Sequence, residues 1–253
     1  MRLMLVLVGI ILVAVNAHAS TYREDRVLSL EVTRIQELHI SCGAGALVVQ
    51  GQDREDIEIK AEIVVEGVSE EKTRDFVQEN VELSLKKKGR TAYLISKTDS
   101  SFWGSEKAEV NLVVFIPREL SVNIKDGSGS IEARHIKGHV AIQDGSGSIA
   151  LDHISGDLSI DDGSGDIMAE DIEGDVTIKD GSGSISTKKI GGNLSIVDGS
   201  GSIDVHTIGG SVVVDDGSGS INITGVEKNV TIESAGSGSC NISGVKGDLF
   251  MRD

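Results

Sequence analysis

Asp126, Asp144, Asp162, Asp180, Asp198 and Asp216 recur every 18 residues, each heading the hexapeptide DGSGSI or, at Asp162, DGSGDI. If successive repeats stack, these carboxylates form a column. Neighbours ~5 Å apart repel by ~0.8 kcal/mol in water, and by several times that at lower effective dielectric. Bound cations, raised pKa values, or turn hydrogen bonds and solvent would relieve that repulsion. A speculative cation column is the sharper chemistry, but carboxylates alone do not define a calcium cage of about 6–8 oxygens. Calcium-binding repeats of the toxin type also run about 18 residues per coil, as two GGxGxDxUx units. Here Ile131 and its equivalents stand where their Asp would be. The sequence therefore favours turn capping by each Asp, with no metal site defined.

A second column contains nitrogen ligands. His135, His153 and Asp171 share position 10 of three consecutive repeats, counting from the Asp. Two imidazoles and a carboxylate can bind a transition metal. The column continues as Lys189, Thr207 and Gly225, and nothing in the sequence fixes the ring orientation, so a solvated turn is expected. His139 and His206 occupy other positions. The serine columns from Ser128 to Ser237 lack a recurrent His or acid partner for nucleophilic catalysis. GSGSI has no P-loop lysine, so its glycines are turn formers. The acid pairs Asp161-Asp162 and Asp215-Asp216 read as solvated faces, and no Phe, Tyr or Trp lies between Ile116 and Leu249 to platform a sugar. No catalytic residue and no cofactor is expected. The contact candidate is the loop SSFWGSEK, with Phe102 and Trp103, between the strand candidates TAYLIS and VNLVVFIP. The competing expectation is that both rings fold back to cover one end of the structure.

The elements that position these columns follow from the period. A fixed short repeat marks a solenoid, in which each coil buries its apolar side only by stacking on neighbours. Position 6 holds Ile131, Ile149, Ile167, Ile185, Ile203, Ile221 and finally Cys240. Position 11 runs from Ile136 to Val245, position 15 alternates Val and Leu from Val140 to Leu249, and position 17 runs from Ile142 to Met251. Position 8 is smaller and mostly apolar. The alternations 6-x-8 and 15-x-17 have strand periodicity. Each coil is thus two short strands joined by two glycine turns. The prediction is an all-β, single-stranded parallel β-helix or β-solenoid of 18 residues per coil, with seven coils over 126–253. The seventh unit, AGSGSC from Ala235, follows one extra residue.

Residues 20–125 are strand-rich but irregular, and are expected to cap the stack, so that 20–253 forms one domain. CGAGAL at Cys42 is a degenerate repeat turn, Ser69–Asn80 is the one helical candidate, and Pro117 precedes the regular repeats. Residues 1–19 read as a signal peptide: Arg2, an apolar stretch Leu3–Val15, and Ala17-His18-Ala19 before Ser20. That stretch is short for a membrane span of roughly 20 residues. The expected location is extracytoplasmic: periplasm, cell surface or medium. There Cys42 and Cys240, at opposite ends of the stack, would stay unpaired. The net charge of −16 becomes more negative once Arg2 is removed, which argues against nucleic acid and anionic lipid as partners. At the other end, Phe250, Met251 and Arg252 only partly shield the last coil, so end-to-end self-association is expected.

The signal peptide, CGAGALVVQG, and VNLVVFIPRELSVNIKDGSGSI running into serial GSGSI and GDVTI units resemble the putative-adhesin family of extracytoplasmic β-strand-repeat proteins, and less closely the head GIN domain proteins. The resemblance implies a right-handed parallel solenoid at the cell envelope and brings no catalytic residues. The expected function is a non-catalytic, adhesin-like or scaffold surface that presents repeated Ser, Asp and Gly rows to an envelope or surface partner. The alternatives are an envelope-stress or regulatory accessory protein docking one partner through its N-terminal part, then a calcium-stabilised structural module. A carbohydrate-active enzyme comes last.

Overall fold

The computed structural model describes residues 9–11, 21–67, 70–98 and 107–252. The leader expected at 1–19 lies outside these residues except for Gly9–Ile11. In the repeats, the two alternating stretches of each coil become two strands. One series comprises β10 (Ile131–Ile136), β12 (Ile149–Ile154), β14 (Ile167–Ile172), β16 (Ile185–Ile190), β18 (Gly201–Ile208), β20 (Gly219–Val226) and β22 (Cys240–Val245). The other comprises β9 (Ser121–Lys125), β11 (Val140–Asp144), β13 (Leu158–Asp162), β15 (Val176–Asp180), β17 (Leu194–Asp198), β19 (Val212–Asp216), β21 (Val230–Ala235) and β23 (Leu249–Met251).

Every strand in a series pairs in parallel with the next, in the register of the repeat: Ile131 opposite Ile149, Val140 opposite Leu158. This is a parallel β-solenoid of about seven turns with about 18 residues per turn. The extra residue before the seventh unit is absorbed at one place, where the β19–β21 register shifts between Val214 and Asp215. Register is held because a one-residue slip would turn an entire aliphatic row outward. Positions 6, 8 and 11 from one sheet meet positions 15 and 17 from the other, and from Ile131 to Ile232 the aliphatic members of these rows are at most 2% exposed.

Ahead of the repeats lie β1 (Gly9–Ile11), β2 (Thr21–Glu31), β3 (Glu37–Ser41), β4 (Leu47–Gln52), β5 (Asp56–Glu66), α1 (Glu70–Asn80), β6 (Val81–Lys88), β7 (Thr91–Thr98) and β8 (Lys107–Pro117). Their stacking does not follow chain order. β3 and β4 pair in parallel with β9 and β10 on one side and with β7 and β8 on the other. The coil containing CGAGAL is therefore sandwiched between a later coil and the first regular one. Antiparallel strands flank this end: β5 joins β8 to β2, and β6 lies on β7. Pro117 ends β8, as a residue without an N–H must end a ladder, and its carbonyl accepts from Leu120 N at 3.2 Å. The helix predicted at 69–80 is α1, which buries Thr73 and Val77. No helix among the described residues is long and apolar enough to cross a membrane. On the last strand Leu249, Phe250 and Met251 are about half exposed.

Candidate functional site

The aspartate row lies on the inside of the solenoid. The alternation at positions 15 and 17 continues for one more inward residue, so Val140, Ile142 and Asp144 all point into the core. All six aspartates are 0–8% exposed. Turn capping holds, because each Oδ1 accepts a turn N–H: Gly127 to Asp126 at 2.8 Å, Gly145 to Asp144 at 2.7 Å, and Ser182 to Asp180 at 3.2 Å. Relief by solvent does not hold. Every Oδ2 in the row is buried without a partner. Burial pushes Asp126 and Asp180 up to about 6 against the turn N–H groups that pull the other way. It raises Asp144, Asp162, Asp198 and Asp216 as well. Desolvation thus disfavours the charged form of these carboxyls all along the row. The row leaves one unengaged oxygen per coil, far from the oxygen-rich shell that calcium requires.

Cys42 stands at the head of this row, where the coil below the first repeat would place its Asp. Gly127 packs on Gly43, 3.6 Å from its Cα to the position of a Cβ. Burial, then the Asp126 charge, raises the Cys42 thiol far above its ordinary value. Cys240 lies opposite Ile221 in the isoleucine row, and both cysteines are free.

The turn after each Asp is set by its second glycine. Gly129, Gly147, Gly165, Gly183, Gly201 and Gly219 all have φ between 131° and 153°, and a Cβ on any of them would lie 1.5–2.0 Å from the carbonyl oxygen one coil below. Only glycine meets both demands. The residue that follows, Ser130, Ser148, Asp166, Ser184, Ser202, Ser220 or Ser239, faces solvent, Ser220 partly so.

Position 10 is a left-handed column. His135, His153, Asp171, Lys189 and Thr207 have φ of 55–62°, and Gly225 and Gly244 continue it at 75° and 67°. That kink places two successive residues outward and returns position 11 to the core. It brings His135 and His153 together, with ring centroids 5.0 Å apart, and sets His153 against Asp152 and Asp171.

One functional row escaped the sequence reading. At position 14, His139, Asp157, Asp175, Asn193 and Asn229 each accept the backbone N–H of the residue one coil above, for example Asn193 N to Asp175 Oδ1 at 2.7 Å. These side chains staple successive coils across the second turn. The recurrence of Asp or Asn ahead of most position-15 residues, with His139 and Ser211 as the exceptions, was the available signal. Phe102 and Trp103 lie outside the described residues.

Two sheets of in-register parallel strands, closed by glycine turns, define a parallel β-solenoid. The sequence profile of the Toastrack DUF4097 family matches residues 35–248, and the chain belongs to that family. Among solved structures it is similar to a putative adhesin from Parabacteroides merdae, at 11% identity and a TM-score of 0.50 over 90% of this chain and 96% of that one. It is equally similar to a putative lipid binding protein from Parabacteroides distasonis, at 13% identity and a TM-score of 0.50 over 89% and 96% of the two chains. These likenesses establish the fold. None of the functionally curated proteins matches the sequence.

Proposed function

We propose that this protein is a non-catalytic, extracytoplasmic β-solenoid that serves as an adhesin-like or scaffold surface. The observation that carries the reading is the outward row at position 5, where one hydroxyl or carboxylate per coil repeats in strict register beside an exposed glycine turn. Such a row engages a periodic or multivalent partner many times at once, and avidity then exceeds the strength of any single contact. The adhesin name carried by the Parabacteroides merdae structure agrees with this use of the fold. The leader pattern at residues 1–19 supports export, with Ser20 as the mature start.

The test compares the protein with a variant lacking residues 163–198, two whole repeats. Binding is measured to immobilised cell-wall, outer-membrane and host-surface fractions. The proposal expects one fraction to be bound, with apparent affinity falling several-fold in the shortened variant. Affinity independent of coil number would overturn it and assign binding to the N-terminal part, and binding to none of the fractions would overturn it outright.

A further inference from the structure

We propose that His135, His153 and Asp171 bind a divalent first-row transition metal ion, with Asp152 positioning the central imidazole. The three ligands line an open groove of about 510 Å³ on the position-10 face of the solenoid, beside Arg118, Lys137 and Lys189.

The geometry is that of a histidine held from behind. Asp152 Oδ1 lies 2.7 Å from His153 Nδ1, an ion-pair contact on the ring nitrogen opposite Nε2. A carboxylate on one ring nitrogen fixes the tautomer and leaves the other nitrogen free as a ligand. That other nitrogen, Nε2, points toward Asp171 Oδ2, 4.0 Å away. Two ligand atoms that share one ion at about 2.0–2.2 Å stand roughly 3–3.5 Å apart. A small rotation of the exposed His153 ring and the half-buried Asp171 carboxylate therefore closes the pair. One ligand atom from each of Asp152, His153 and Asp171 already lies within 4.8 Å of the others, the one such group of three among the described residues. His135, one coil below, holds its ring 5.0 Å from that of His153 at a tilt of 56°; it stands outside that group of three and must turn toward the ion to supply a second imidazole.

The backbone prepares this arrangement. All three ligands sit in the left-handed conformation, at φ 59°, 55° and 55°, so successive coils project them from one line at strand spacing. Two imidazoles and one carboxylate, with the remaining positions open to water, suit ions such as Zn²⁺, Ni²⁺ or Co²⁺ better than calcium, which demands oxygen ligands. Lys189 Nζ lies 3.2 Å from both Asp171 oxygens and donates to Oδ2, so the ion must displace the exposed lysine to take Asp171 as a ligand.

The experiment titrates the purified full-length protein with Zn²⁺ by calorimetry and with Co²⁺ by visible absorption. The expected result is saturable binding of one ion per chain. His153→Asn and His135→Asn should each weaken it at least tenfold; asparagine tolerates the left-handed backbone, and unchanged melting temperatures without metal confirm folding. Asp152→Asn should weaken binding about 10- to 100-fold while the Co²⁺ spectrum keeps its shape, as expected for a positioning residue. His139→Asn and His206→Asn should leave affinity unchanged. Failure of the wild type to saturate, binding that survives in the His135/His153 double variant, or binding abolished by His139→Asn would each overturn the proposal.

Discussion

Gly183 packs over Gly165 so closely that a Cβ on Gly183 would lie 1.8 Å from the Gly165 carbonyl oxygen. The same contact recurs up the turn, so the backbone itself sets the distance between coils. Gly183→Ala must therefore push two coils apart or unfold the turn, and also hold alanine at φ 145°. The expected cost is roughly 4 kcal/mol or more, at the extreme of single substitutions. Gly89, at φ 65° with nothing within 4 Å of its Cβ position, is the control. Gly89→Asn should change stability by well under about 1 kcal/mol. Urea denaturation of the two variants separates crowding from backbone preference.

The buried aspartates make stability rise as pH falls. Their folded-state pKa values are raised above the unfolded value of about 3.9, to about 6 for Asp126 and Asp180. A raised value means that the stabilisation is full below about pH 4 and is lost as pH climbs through about 6. Asp56, Glu62 and Glu119 are shifted down and act in the opposite direction, but they belong to solvent-facing ion pairs. The melting temperature should be higher at pH 5 than at pH 7.5. Asp180→Asn should flatten that dependence and raise stability at pH 7.5 by on the order of 1 kcal/mol, about 2–4 °C. Millimolar calcium should leave the melting temperature of the metal-free protein unchanged.

Thr187 occupies position 8 with no exposed surface, and its hydroxyl has no hydrogen-bond partner. Its neighbours in the row are Ala169 and Val205. Thr187→Val keeps the shape and removes an unsatisfied polar group that costs about 1–3 kcal/mol. The variant should be more stable by about 1 kcal/mol in chemical denaturation.

Thr207 is the last side chain in the left-handed column before glycine takes over at Gly225. A β-branched residue at φ 62° is strained by roughly 1–2 kcal/mol. Thr207→Gly should recover part of that, less the added freedom of glycine in the unfolded chain, for a net gain of up to about 1 kcal/mol. Differential scanning calorimetry would measure it.

Most of the solenoid was legible because its period is short and its rows are nearly invariant: Ile131 and Ile149 could only share a face if the coils stacked. The inward aspartates were not, since a carboxylate after an apolar alternation reads as the start of a turn. Here it is the last inward residue of the strand, as Asp144 shows after Val140 and Ile142. The left-handed column was hidden by its own residues. Histidine, lysine and threonine do not announce positive φ, and only Gly225 and Gly244 give it away. The stacking of β3 and β4 between β7/β8 and β9/β10 was illegible for a different reason. It depends on pairing between segments that the chain visits out of order, which no local period encodes. The period alone lined up His153 with Asp171, and only Asp152, one residue earlier, needed the left-handed kink before it could be seen beside them.

The most direct test of the solenoid is the length of the shortened protein. Removing residues 163–198 joins Asp162 to Gly199, restores the Asp-Gly turn and brings β12 and β13 onto β18 and β19. Small-angle X-ray scattering should show a cooperatively folded particle whose longest dimension is shorter by roughly 10 Å, two strand spacings. An unfolded variant, or a folded one of undiminished length, would contradict the account.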